Sequence, residues 1–529
     1  MEFSENCKGE GVAPSVFQRK RRVAVIGAGP AGLFFSHLAR REGLEVVLFE
    51  GHSKPGGCAS YFRKKYSKEG DAKALFDAGA TVLSLLGEGE WLRNMVSSFG
   101  ITLPRFHRMN EMEYRLSNLR FTLDARSCES WIQSLAKEFP KDREVILQRF
   151  PKMAQQAQRL QNGLQRVPHL PIESWQDIVL NWRNLPSLLN LVPAFIGGVF
   201  TSFGETLDSW KISDPLRRWI DMNLLITLQA PSEEVHPLWA SLALFFYPLG
   251  AGALEGGMNA LFEPLLEKLN SDPGAQIFMK TPVTRIQELD DGRFCCVTID
   301  RMVGPFDFVV SSIPSFNTEK LFDSPLFRRN FSWETLQEHL WGAVVSYVVV
   351  RDVARFPDEP FNVHSSRASS FASASGGGDV YLSFSARNDL KRVATGYRTL
   401  TLSTHAHLTE WRASTEKGAA YRNDPAYLHL KSCEGDKLLQ HFRELYPESE
   451  IVFFEHGTPS TFARYTRREE GSVGGLPLTQ EFTGFRSASQ RTEHPGIYQI
   501  GDTRFPGQSV LGCAVGAQAC LEKILGRVL

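Results

Sequence analysis

RVAVIGAGPAGLFFSHLARREGLEVVLFE, residues Arg22 to Glu50, is the stretch from which the rest of this 529-residue chain is read. A short apolar run, VAVIG, meets a turn with Gly27, Gly29 and Gly32 at G-x-G-x-x-G spacing, then a helical segment, then a second apolar run ending in Glu50. That order is a strand, a helix and a strand. Gly27 permits the tight turn, Gly29 lets the backbone approach a pyrophosphate, and Gly32 lets the helix pack closely on the strand. The helix N-terminus offers free N–H groups and about half a positive charge to phosphates. Glu50 lies eighteen residues beyond Gly32, where a carboxylate accepts hydrogen bonds from both hydroxyls of an adenosine ribose and repels a phosphate on it. Glycines alone are a weak signal. Glycines between two apolar strands, with an acid closing the second, predict a dinucleotide site.

A chain of this length exceeds one ordinary core, so two or three domains are expected. Its 59 basic side chains balance 59 acidic ones, and no charge excess points to nucleic acid. Cys7, Cys58, Cys128, Cys295, Cys296, Cys433, Cys513 and Cys520 show no C-x-x-C and no metal-ligand spacing. They read as reduced packing thiols of an intracellular protein, with no metal expected. No run of eighteen apolar residues occurs, so no helix is expected to cross a bilayer. The first twenty or so residues carry three glutamates and no apolar run, and read as a mobile arm rather than a signal peptide. The cluster Arg19, Lys20, Arg21 and Arg22 is either solvated or attracted to anionic lipid.

After Glu50, Pro55-Gly56-Gly57 forms a second backbone-exposing loop, and Phe76-Asp77-Ala78-Gly79-Ala80-Thr81 reads as a short strand and turn. The basic stretch Arg63 to Lys68 between them reads as a solvated hairpin. Alternation over Glu113 to Leu123 predicts exposed sheet, and then the period lengthens. Trp131, Leu135 and Phe139, followed by Ile146, Phe150, Met153, Ala157, Leu160 and Leu164, recur at helical spacing, and helices are expected to about Leu228. Within them Ser187 to Phe203 has no charged residue and is broken by Pro193 and Gly197-Gly198, with Trp175, Trp182, Trp210 and Trp219 around it. It reads either as a buried core helix or as a monotopic lipid-facing surface.

The glycine-rich crossing Gly250 to Gly257 lacks a strand, an acid and the G-x-G-x-x-G register, so no NAD(P) site is assigned there. Residues 276–300 and FDFVVSSIP read as strands joined at Asp290-Asp291-Gly292. They return the chain to the dinucleotide unit, with the Val283 backbone beside an adenine. GAVVSYVVV, YLSFSA and TLTLSTHA predict a second, mostly antiparallel sheet, and the Ser-rich stretch Ser365 to Asp379 a loop. Near the C-terminus a strand ends at Gly501-Asp502 and a helix begins near Val510. Asp502 is positioned for a ribityl hydroxyl and the helix N-terminus for the pyrimidine side of a flavin, which favours FAD over NAD.

VIGAGPAGL, PGG-x-x-S with FDAGAT, FDFVVSSIP, GTPSTFARYTRREEGSVGG (Gly457 to Gly475) and GD-x-x-FPGQ-x-V occur in this order along most of the chain. Together they resemble the carotenoid desaturase and carotenoid isomerase family of FAD-dependent, amine-oxidase-like proteins, and most of all its prolycopene isomerase and later-acting desaturase branches. Two departures stand out. Cys58 replaces the Arg of many relatives after Gly-Gly, and the stretch between Ser60 and Phe76 is longer than usual. The resemblance implies an α/β fold with a Rossmann-like FAD-binding domain of glutathione-reductase type, a second, mixed and mainly antiparallel sheet domain for substrate, and a helical subdomain. The expected boundaries are an arm at 1–20, an FAD-binding unit of 21–112, 255–320 and 485–529, a substrate unit of 113–140, 229–254 and 321–484, and a helical unit at 141–228, membrane-docking in the second of the readings given for Ser187 to Phe203.

The cofactor-binding residues this implies are Gly27, Gly29, Ala31, Gly32, Glu50, Gly57, Thr81, Val283, Gly501, Asp502 and Val510. Arg464, Tyr465 and Arg504 lie in the same motifs, either beside a flavin or as structural pairs, and no catalytic residue is assigned. The implied partners are a hydrophobic polyene and a membrane surface, with an unknown electron acceptor, at an intracellular peripheral-membrane location, cytoplasmic or plastid-like. Two other readings stay open. One is an FAD-dependent isomerase or saturase of another lipid, such as a polyunsaturated fatty acid or retinoid. The other is a flavin-free prenyl-lipid carrier resembling GDP-dissociation inhibitors, against which the intact Gly27, Gly29, Gly32, Glu50 and Asp502 set argues.

Overall fold

The computed structural model describes residues 20–67, 71–116, 119–185, 198, 200–327, 333–366, 378–483 and 487–529. The N-terminal arm, most of the apolar stretch Ser187 to Phe203 and most of the Ser-rich stretch Ser365 to Asp379 lie outside these residues.

β1 (Arg22–Ile26) is the centre of a parallel five-stranded sheet. It pairs on one side with β2 (Glu45–Phe49) and then β9 (Ala275–Phe278), on the other with β13 (Phe308–Ser311) and then β19 (Ile497–Gln499). Alternate residues of a strand point to opposite faces. Val23, Val25, Val46 and Leu48 accordingly meet helices α1 (Pro30–Arg41), α7 (Asn259–Asn270) and α10 (Val510–Leu525). Ala24, Ile26, Val47 and Phe49 meet the antiparallel sheet of β10 (Val283–Glu288), β11 (Phe294–Thr298) and β12 (Met302–Phe306). A fully buried aliphatic side chain contributes about 1.5–3 kcal/mol, and covering both faces lets these strands be apolar without alternation. Three segments distant in sequence thus close one α/β unit of Rossmann-like class.

The hairpin of β3 (Tyr61–Lys65) and β4 (Lys73–Asp77) carries the basic stretch, with Arg63, Lys64 and Lys65 exposed. β5 (Phe106–Arg108) pairs with β8 (Gly252–Leu254).

A seven-stranded mixed sheet follows the order β18 (Ile451–Gly457), β14 (Trp341–Arg351), β17 (Tyr397–His407), β16 (Asp379–Phe384), β15 (Phe361–Ser366), β6 (Glu111–Leu116) and β7 (Leu119–Asp124). All its pairings are antiparallel except β15 with β6. One face, with Val344, Val348, Leu382, Leu400 and Leu402, packs on helix α8 (Pro425–Leu445) through Leu438 and Phe442.

Helices α2 (Cys128–Glu138), α3 (Arg143–Leu164), α5 (Asp214–Leu228) and α6 (Pro237–Leu244) enclose a further core around Trp131, Phe150, Trp219 and Phe245. Residues 229–254, assigned from sequence to the substrate unit, supply α6 to this cluster, packed against α3. The tryptophans divide between the two readings. Trp219 is fully buried in the core, whereas Trp175 and Trp182 are 76% and 74% exposed on and just after the short helix α4 (Trp175–Leu180). No helix among the described residues is long and apolar enough to cross a membrane.

Candidate functional site

Gly27 adopts φ +99° and donates its N–H to the Phe49 carbonyl at 2.7 Å, tying the turn to the end of β2. Gly29 caps α1 in extended conformation, and a Cβ there would meet nothing within 4 Å. A Cβ on Gly32 would lie 2.0 Å from the Gly27 carbonyl oxygen, so Gly32 serves packing and Gly29 leaves room for a ligand. The second loop lies against the first: Gly56 donates to the Ala28 carbonyl at 2.8 Å, and a Cβ on Gly57 would touch the Gly29 Cα at 3.4 Å.

Glu50 accepts from the backbone N–H of Ala28 at 2.7 Å and of His52 at 2.6 Å. Each oxygen keeps a further lone pair. Burial raises its pKa, against these two N–H groups and the nearby Arg467. Thr281 donates its N–H to the Glu50 carbonyl at 2.7 Å, tying the chain just before β10 to the end of β2, and the Val283 side chain packs in the cluster that holds Phe49.

Gly501, at φ +105°, and Asp502 follow β19, and Ser509 caps α10 by accepting from Gly512 N–H at 3.0 Å. Arg468 donates to Asp502 at 2.9 Å and to the Ser472 carbonyl at 2.8 Å, while its Nη2 has no partner among the described residues. Against the cost of burial, the Asp502 carboxylate holds the Arg468 guanidinium above its ordinary pKa, and burial also raises the neighbouring Cys58 thiol.

These elements share one cavity of about 460 Å³. Its dinucleotide side includes Gly29, Ala31, Gly57, Thr81, Gly501, Asp502 and Val510. Its other walls come from the helical cluster, with Leu164, Leu228, Leu242 and Phe246, and from the seven-stranded sheet. Thr81 joins the sides through a 3.0 Å hydrogen bond to Ser383. Gly27, Gly32, Glu50 and Val283 are not among the cavity's lining residues; Gly32 serves packing, and Glu50 is tied to the turn at Ala28.

Arg464, Tyr465 and Arg504 are not on the cavity wall. Arg464 lies over the Tyr465 ring, Tyr465 is half exposed, and Arg504 lies 4.0 Å over the Phe327 ring. The charged residue of this motif that does reach the cavity is Arg468, four positions beyond Arg464. Sequence reading also passed over the sheet wall, including Asn362, His364, Tyr381 and His405. Their signal was the polar half of the alternation in FNVHSS, DVYLSF and TLTLSTHAH.

The donor set fits a dinucleotide: a glycine turn open at Gly29, the N-termini of α1 and α10 at one cavity, a carboxylate with spare lone pairs, and a buried guanidinium whose Nη2 has no oxygen or nitrogen partner among the described residues. Residues 25–99 match the NAD(P)-binding Rossmann-like domain family. Prolycopene isomerase of Daucus carota, a chloroplastic protein, is 21% identical over 96% of this chain and 80% of its own. The 4,4'-diapolycopene oxygenase of Methylomonas sp is 23% identical over 96% of this chain and 98% of its own. The fold matches cyclohexylamine oxidase of Brevibacterium oxydans IH-35A, at 13% identity and TM-score 0.58, over 96% of this chain and all of that one. Over nearly its full length the chain is thus similar to a carotenoid isomerase and a carotenoid-type oxygenase, in line with the ordered motifs.

Proposed function

We propose that the chain is an FAD-dependent oxidoreductase acting on a carotenoid or similar long polyene, by desaturation or by cis–trans isomerisation without net redox. The observation that carries this is the single cavity in which the dinucleotide turns face a wall of Leu164, Leu228, Leu242 and Phe246. A bound flavin would supply hydride acceptance from an allylic C–H, the neighbouring carbon losing a proton to solvent as the double bond forms, or, when reduced, a lowered barrier to rotation about a double bond.

The chain's own part is to bind, orient and exclude water. Glu50 would take the adenosine ribose, the turn at Gly29 and Gly57 the diphosphate, and Asp502 with the Val510 helix end the flavin side. Asp502 keeps an oxygen for a ribityl hydroxyl while its partner oxygen holds Arg468.

Docking to a lipid surface supports delivery of such a substrate. Trp175, Ile178, Val179, Trp182 and Leu185 are exposed on one short stretch, and Phe200 is 80% exposed. Indole rings favour the interface between water and hydrocarbon.

The test is expression in cells that accumulate defined poly-cis and all-trans carotenoids, followed by pigment analysis and an absorbance spectrum of the purified protein. A yellow flavoprotein that shifts pigment composition is expected. Folded, colourless protein that takes up no added FAD, or unchanged pigments in every strain, overturns the proposal.

A further inference from the structure

A hydrocarbon alone would be matched by an apolar cavity, yet the sheet wall is polar. Strand periodicity sends apolar residues of β15, β16 and β17 to α8 and sends Asn362, His364, Tyr381, Ser383, Ser403 and His405 to the cavity. The register sets His364 opposite Tyr381, and Tyr381 opposite Ser403.

Within this wall Asn362 Nδ2 donates to Tyr247 Oη at 3.4 Å, and Tyr247 Oη lies 3.2 Å from His364 Nε2. The phenol has one proton to give. Nε2 is the acceptor paired with it among the described residues, and the assignment that satisfies the phenol proton leaves the neutral imidazole's own proton on Nδ1. Burial keeps the ring neutral, pushing its pKa down to about 3. His364 Nδ1 and Asn362 Oδ1 both lack a hydrogen-bond partner among the described residues. A buried donor and a buried acceptor left unpaired are costly. A hydroxyl, which accepts and donates, answers both; a carbonyl answers the donor. Charged side chains on the described wall are Arg468 and Asp502, which face each other. A carboxylate end would therefore be buried without a cation of its own.

We infer that the substrate carries an uncharged oxygen function, a hydroxyl or carbonyl, seated against His364, Asn362 and Tyr247. The inference rests on the polyene reading above and narrows it to an oxygen-bearing polyene, disfavouring both a pure hydrocarbon and a fatty acid.

The experiment uses the protein as purified and four polyenes of one chain length, ending in methyl, hydroxymethyl, formyl and carboxylate. Binding is followed by quenching of tryptophan fluorescence, without turnover. The hydroxymethyl and formyl ligands are expected to bind about tenfold or more tighter than the other two. Asn362→Leu and His364→Phe should bring the hydroxymethyl ligand to the affinity of the methyl one and leave the latter unchanged, which also reports that the variants fold. Tyr247→Phe removes only the hydroxyl that fixes the ring and gives the same loss should the larger changes fail to fold. His364→Gln, which keeps a donor, should retain part of the preference. Equal binding of all four ligands, tighter binding of the methyl or carboxylate form, or a preference that survives the variants overturns the inference alone. Failure of every polyene to bind overturns the polyene reading and the inference with it.

Discussion

Arg468 donates to Asp502 across 2.9 Å, joining residues 34 positions apart, with side chains 8% and 19% exposed. The two distal motifs meet at this pair, on the wall of the cavity. Removing one partner of a buried pair leaves the other charge uncompensated, at about 3–5 kcal/mol. Arg468→Met is expected to cost near the lower end, about 3 kcal/mol, because Asp502 keeps some contact with water. Arg468→Met with Asp502→Asn should cost less than the sum of the single changes. Midpoints of denaturant unfolding measure both. A loss below about 1 kcal/mol for Arg468→Met would show that solvent screens the pair.

The two glycines of the first turn separate packing from binding. A Cβ on Gly32 would stand 2.0 Å from a carbonyl oxygen, while Gly29, at φ −71°, has open space before it. Gly32→Ala should therefore destabilise by about 2 kcal/mol or more. Gly29→Ala should change stability by about 0.5 kcal/mol or less and lower the affinity for added FAD, read by titration of flavin fluorescence. Unchanged FAD affinity in Gly29→Ala would move the diphosphate elsewhere.

The Rossmann-like unit was legible in Arg22 to Glu50 because its constraints are largely local: Gly32 answers to the Gly27 carbonyl in the same turn, Gly27 is tied to Phe49 within the same stretch, and the strands are apolar on both faces. The Gly501-Asp502 end was legible as a motif, but its partner was not. Arg464, Tyr465 and Arg468 share one short segment, and which of them turns inward depends on the left-handed residue Arg467, at φ +58°, that ends helix α9 (Pro459–Thr466). The polar sheet wall was hidden for another reason. Alternation in a strand says which residues share a face, and only the packing of α8 on the other side says that the polar face is the inner one.

His364 and His405 set a pH dependence. Burial pushes them down to about 3 and about 4, below the unfolded imidazole value near 6.5. The unfolded chain therefore binds protons first as pH falls, so stability is full above about 6.5 and declines down to about 4 for His405 and about 3 for His364. At pH 5 each ring accounts for about 2 kcal/mol of lost stability. Denaturant unfolding at pH 7 and pH 5 should show this loss, and His364→Phe should remove about half of it. A dependence identical to wild type in His364→Phe would mean that the ring is protonated in the folded protein.

Trp175 and Trp182 offer the sharpest test of the lipid surface, because their exposure separates docking from folding. Inserting half of a roughly 200 Å² indole at about 25 cal/mol per Å² yields about 2.5 kcal/mol per tryptophan. Trp175→Ala with Trp182→Ala should then reduce association with liposomes by more than about tenfold, measured by flotation. The unfolding midpoint should stay within about 0.5 kcal/mol of wild type. Trp219→Ala supplies the contrast, since that ring is fully buried among Tyr114, Trp131 and Phe139 and its loss should cost about 3–5 kcal/mol of stability. Flotation that is equal in the double variant and wild type would remove the tryptophan stretch as the docking face and leave its exposure to another partner.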